Sequence, residues 1–145
     1  MDNIVIEKIW NDSDIISNGL FEVKMTCTNN KNEFTNNYYF CTTTTKKIEK
    51  KIDNFLKKHK MQEISFRTKT KKRIPSFSLK FIDLDYDNNI IILVTMENAI
   101  SDRVHYYELE NRIITIKTTR QQLELFKGKI AKLIDLEINQ KITLN

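Results

Sequence analysis

Between Leu20 and Thr28 the chain alternates without a break: Phe21, Val23, Met25 and Cys27 fall on one side, Glu22, Lys24 and Thr26 on the other. Successive side chains of an extended strand point to opposite faces, so this segment must bury one face and wet the other. A half-apolar sheet needs a cover, and the sequence supplies candidates where its period changes. Ile48, Ile52, Phe55, Leu56 and His59 recur at helical spacing from Lys47 to Lys60, with Lys46, Lys47, Lys50, Lys51, Lys57 and Lys58 on the opposite face. Thr44 or Thr45 is placed to cap the first turn of this helix. A second helix follows from TTRQQLELFKGKIAKLID, where Leu123, Phe126, Ile130, Leu133 and Ile134 share a face and Thr119-x-x-Gln122 fits a capping box. Gly128, inside that helix, is expected to serve close packing on a strand.

Further strands are predicted over Asn3 to Trp10, over Asn37 to Thr43 (Tyr38 and Phe40 on one face, Tyr39 and Cys41 on the other), around Ile64-Ser65-Phe66, along Phe77, Leu79 and Phe81, and from Ile90 to Met96. Val104 to Leu109 and Ile113 to Lys117 read as one long kinked strand or as a hairpin about Glu110-Asn111. Fifteen asparagines stand against two glycines, so turns are expected at Asn29-Asn30, Asn36-Asn37, Asn88-Asn89 and Asn111, asparagine tolerating left-handed backbone better than most residues. Strands, helix, strands, helix is an α+β order. It predicts a single, largely antiparallel sheet of about six strands with both helices on one face. One domain covers residues 1–135, and residues 136–145 form a tail or a short strand. Whether the second face of the sheet is wet or covered in a dimer stays open.

Composition narrows the classes. A chain of 145 residues is the size of one domain. Its longest aliphatic run, Ile90 to Val94, is far short of the roughly 20 residues a membrane helix needs. MDNIVIEKIW lacks a basic-then-apolar export signal, so the expected location is cytoplasmic, and Cys27 and Cys41 are expected to be reduced thiols. The net charge of +5 is unevenly spread: Lys46 to Arg73 holds 12 basic residues and three acidic ones.

Catalytic and metal chemistry find little support. Asp83, Asp85 and Asp87 alternate as in the opening of an EF-hand, but Asn88 and Val94 occupy the positions that require Gly and a bidentate Glu. His59 and His105 stand at no zinc spacing from a cysteine. Ser101, Asp102 and His105 lie near one another without a nucleophile elbow. Two isolated glycines cannot build a phosphate-cradling loop. A hydrolase acting through an unrecognised carboxylate pair is the residual enzymatic reading. No catalytic residue, metal or cofactor is indicated.

The segment RTKTKKRIPSF, with Arg67, Lys69, Lys71, Lys72 and Arg73, is either a solvated basic loop or, with the lysine helix, a nucleic-acid surface. Against nucleic acid, most of these residues are Lys, without the bidentate fork of Arg, and no RNP or helix-turn-helix spacing accompanies them.

Tyr39-Phe40 ahead of the first helix, and Thr119, Leu123, Phe126, Ile130 and Leu133 at the end, give the chain a pattern that resembles the small α+β immunity proteins of bacterial polymorphic toxin systems, the kind paired with wall-associated toxins. The resemblance spans most of residues 1–135. It implies a cytoplasmic protein that binds and neutralises a cognate toxin by masking it, with no catalysis. A basic toxin would meet Asp83, Asp85, Asp87 and Asp102; an acidic one would meet the lysine helix and Arg67 to Arg73. The alternative is a nucleic-acid-binding module using Lys46 to Arg73.

Overall fold

The structure is a computed structural model. It describes residues 2–11, 19–57, 63–67, 76–83, 88–100 and 108–145, with only the backbone described over 63–67, 98–100 and 108–110. Eight strands and two helices are present among the described residues: β1 (Asn3–Asn11), β2 (Phe21–Thr28), β3 (Glu33–Phe40), α1 (Thr42–Lys57), β4 (Glu63–Arg67), β5 (Phe77–Asp83), β6 (Asn89–Ile100), β7 (Glu108–Thr119), α2 (Arg120–Ala131) and β8 (Lys141–Leu144), with a 3-10 turn at Leu133–Asp135. The α+β class is as expected. The single sheet is not: there are two four-stranded antiparallel sheets, ordered β3-β2-β1-β8 and β4-β5-β6-β7. Periodicity marks which residues of a strand face inward but not which sheet the strand joins, and the alternation of β2 and that of β5 are indistinguishable in sequence.

The inner faces of both sheets and the apolar stripes of both helices close on one core. From the first sheet come Ile4, Ile6, Phe21, Val23, Met25, Cys27, Tyr38 and Phe40; from the second, Phe77, Phe81, Ile92, Val94 and Ile116, among others. Aromatic pairs join these layers. Phe40 stacks on Phe77 with ring centroids 5.5 Å apart, Tyr38 approaches the same ring at 5.0 Å, and Phe55 of α1 meets Phe81 at 5.7 Å. Fully burying a side chain such as Phe55 stabilises the fold by about 2–3 kcal/mol.

α1 starts five residues earlier than its apolar period suggests, at Thr42. The carbonyl of Cys41 accepts from the N–H groups of Thr44 and Thr45, and the N–H of Cys41 donates back to the Thr44 hydroxyl at 3.3 Å. Threonine therefore does satisfy an orphan donor here, but from inside the first turn rather than from the cap position. At the start of α2, the Thr119 hydroxyl accepts from the Gln122 N–H at 3.1 Å, which is one of the two hydrogen bonds of a capping box; the return bond from the Gln122 side chain is absent among the described residues. Gly128 departs from expectation: a Cβ there would meet nothing within 4 Å.

Asn29 and Asn88 do mark turns. Asn29 Oδ1 accepts from the N–H groups of Lys31 and Asn32, and Asn88 adopts a positive φ of 85°. Asn36, Asn37 and Asn111 instead sit inside strands, and β7 runs unbroken through Asn111 opposite Glu97.

Of the tail or short strand expected over residues 136–145, the structure has the strand: β8 pairs with β1 and buries Ile142 and Leu144. Lys8 holds this segment in place. Its fully buried ammonium donates to the carbonyls of Ile134 (2.6 Å) and Leu136 (2.9 Å) and lies 4.7 Å from the centre of the Phe21 ring. Burial pushes the Lys8 pKa below its ordinary value, with Asp135 acting in the opposite direction.

Among the described residues, no helix is long and apolar enough to cross a membrane. Cys27 and Cys41 are free. Cys27 lies six residues along β2 from Phe21, whose partner Phe40 adjoins Cys41. At about 3.3 Å per residue that is about 20 Å, well beyond disulfide reach.

Candidate functional site

Of the acidic residues expected to meet a partner, Asp83 is described, and it points inward. β5 alternates with Phe77, Leu79, Phe81 and Asp83 all on the buried side, and Asp83 is 5% exposed. Its carboxylate accepts from Arg120 Nη1 at 2.8 Å. The Arg120 guanidinium also donates to the carbonyls of Phe55 (3.4 Å) and Leu56 (3.1 Å) in the last turn of α1. A cation at a helix C-terminus satisfies carbonyls the helix leaves open and complements its dipole. Asp83 is thus a joint between β5, α1 and α2 and presents no surface to a partner. Asp85, Asp87 and Asp102 lie outside the described residues, as do Lys69, Lys71, Lys72 and Arg73. The backbone of Arg67 ends β4. His59, Ser101 and His105 also fall outside. On α1, Lys46, Lys47, Lys50 and Lys51 are exposed, whereas Lys57 pairs with Asp53 at 2.7 Å.

Two polar features at the seam between the sheets are occupied in joining them. At the first, Glu97 is buried, and its side chain accepts from the Ser76 N–H at 3.2 Å. The Glu97 carbonyl in turn accepts from Asn36 Nδ2 of β3 at 2.8 Å. A side-chain carboxylate on the Ser76 N–H leaves the carbonyl free to hold the other sheet. The Ser76 hydroxyl beside this joint is buried with no hydrogen-bond partner among the described residues. Burial pushes the Tyr38 phenol well above its ordinary range.

The second is an open cleft of about 390 Å³ lined by Asp2, Asn29, Lys31, Ile113 and Lys117, among others. Asn29 Nδ2 donates to the Thr115 carbonyl at 3.0 Å, and Asp2 accepts the Lys117 N–H at 2.8 Å. Two of its polar side chains are therefore spent closing the edge of β7, which guards an exposed strand against unwanted pairing. No cluster of three or more potential metal-ligating side chains occurs among the described residues.

Exposed large hydrophobic side chains occur singly at Ile113, Leu125 and Ile138, and two aromatic ones share the outer face of the first sheet. Ile4, Ile6 and Lys8 are inward, so uninterrupted alternation would also send Trp10 inward. Instead, the β1–β2 register shifts: Lys8 opposes Val23, but Trp10 opposes Glu22. A bulge adds one residue to one strand and so re-aims every side chain beyond it. Trp10 emerges on the outer face and is 42% exposed. Glu22 in turn opposes Tyr39, which is 53% exposed. Trp10, Glu22 and Tyr39 form one cross-strand row. The next row holds Glu7 and Lys24, paired at 3.7 Å, and the one beyond holds Thr26 and Thr35, whose hydroxyls are 3.1 Å apart. Most of this face is thus an ordinary solvated ladder, and the two large aromatics interrupt it at one end. Sequence reasoning missed Trp10 because a bulge leaves no mark in hydrophobic pattern. The sequence separates Tyr39 from Tyr38 and Phe40 by face but does not mark which face is buried.

Comparison with known proteins gave no matching family model, no matching curated protein and no matching solved structure.

Proposed function

We propose that this chain is a protein-binding module of the immunity type, acting by covering a cognate toxin rather than by chemistry. One observation carries the reading: a β-bulge takes the sole tryptophan out of the core register and exposes it in one row with Tyr39 on a sheet face whose other side chains are mostly polar. Burying Trp10 would favour the isolated chain, since a large aromatic gains more from leaving water than almost any other side chain. Its exposure is better accounted for by what it binds. Trp and Tyr are the residues most enriched where truncation weakens protein–protein binding. Inhibition by masking needs no catalytic constellation, and the described polar joints, Asp83 with Arg120 and Glu97 with Ser76 and Asn36, serve the fold. Co-expression with the toxin encoded next to this gene tests the reading. Growth is restored and the two proteins co-purify; growth arrest with no co-purification defeats it.

A second reading is favoured by the surface of α1, where Lys46, Lys47, Lys50 and Lys51 are exposed and form no ion pair among the described residues. That stripe suits a nucleic-acid backbone, whose binding falls steeply with salt because neutralised phosphates release counterions. A gel-shift series showing no complex at low salt removes it.

A further inference from the structure

We infer that the Trp10–Glu22–Tyr39 row is a seat for a cationic side chain, an arginine by preference, presented by the partner. The inference rests on the protein-binding reading and adds the chemistry of what is bound. The three residues sit directly opposite one another on β1, β2 and β3, and residues opposed in this way point to the same face. Adjacent strands are about 4.8 Å apart, so the Cα atoms of Trp10 and Tyr39 are separated by about 10 Å with that of Glu22 midway. A cation held over Glu22 is then flanked by an aromatic side chain on each neighbouring strand, and ring faces attract positive charge.

Charge on this face selects the same ligand. Lys24, on the same face of β2, is engaged by Glu7 at 3.7 Å, while Glu22 has no cationic partner among the described residues. A half-buried carboxylate between two exposed rings repels anions and binds a cationic donor more strongly than a neutral one. A guanidinium matches both elements: its fork meets a carboxylate in two hydrogen bonds, and its plane stacks on aromatic faces.

Trp10 is the only tryptophan, so intrinsic fluorescence excited in the indole band reports on this row alone. The probe is the tripeptide acetyl-Gly-Arg-Gly-amide, titrated at constant ionic strength against its citrulline counterpart, which keeps the shape and loses the charge. The expected result is a saturable change in Trp10 emission with millimolar affinity for the arginine peptide and none for the citrulline peptide. Glu22→Gln weakens the response about tenfold, the loss of one charge-assisted partner. Tyr39→Leu, which keeps bulk on the strand and removes the ring, weakens it as well and guards against a folding artefact in the first variant. An equal response in Glu22→Gln, an equal response to citrulline, or no saturable change overturns the proposal. The titration uses no toxin. A negative result with intact co-purification therefore rejects the cation seat alone, and a positive result without co-purification rejects the immunity reading alone.

Discussion

Gly19 and Gly128 look equivalent in sequence and have opposite roles in the structure. Gly19 has a φ of 71°, and a Cβ there would lie 2.8 Å from Ile134 Cδ1 and 2.9 Å from the Thr42 hydroxyl oxygen. Both the backbone conformation and the close approach demand glycine. Gly128 has open space and sits in the middle of α2. Gly128→Ala is therefore expected to raise stability by about 0.5–1 kcal/mol, and Gly19→Ala to lower it by about 1–3 kcal/mol, both measured by urea denaturation. Period alone cannot separate the two cases, because φ and the neighbours across the fold decide them. The same holds at Lys8 and Trp10. Ile4, Ile6 and Lys8 keep one face, and Lys8 satisfies carbonyls some 126 and 128 residues away in sequence, partners no local window contains.

At the scale of elements, both helices and most strands were legible, because burying one face writes a period of 3.6 or 2 into the residue order. Strand boundaries at the threonine run and the partition into two sheets were not, since cap geometry and strand pairing depend on contacts between distant segments. Asp83 shows the consequence for a site. The acids of DLDYDNN read as a polar turn, yet the first of the three acids falls on the inward side of β5 and binds Arg120 across the ends of α1 and α2. Removing one member of a largely buried pair leaves the other uncompensated. Asp83→Asn is expected to cost about 3 kcal/mol, visible as a lower midpoint in thermal denaturation, with binding of the proposed partner by the remaining folded protein unchanged. A stable variant that no longer binds would return Asp83 to the interface.

The molecule as a whole is two sheets and two helices closed on one core. Its pH response follows from what that core encloses. Cys27 is fully buried, and burial pushes its thiol up to about 12 from an ordinary 9.0; Tyr38 is raised in the same way. In the unfolded chain the thiol loses its proton first, so between those values the folded state binds more protons. The thiol's own contribution is full below about pH 9 and falls by about 1.4 kcal/mol per pH unit as the pH rises toward 12. Cys27→Val should flatten the first part of that fall in denaturation curves recorded from pH 8 to 11. Lys8 acts with the opposite sign, because its lowered pKa makes the unfolded state the better proton binder just below its ordinary 10.5. Cys27→Val leaves that contribution in place and so isolates the thiol.

Calorimetric titration of the cognate toxin into the wild-type chain and into Trp10→Ala/Tyr39→Ala tests the central claim most directly. Exposed aromatics at the heart of an interface are worth about 2 kcal/mol or more each, so the double variant should bind about 700-fold more weakly while melting at the same temperature. Equal affinity in the two proteins would mean that the bulged aromatic row is not the binding surface.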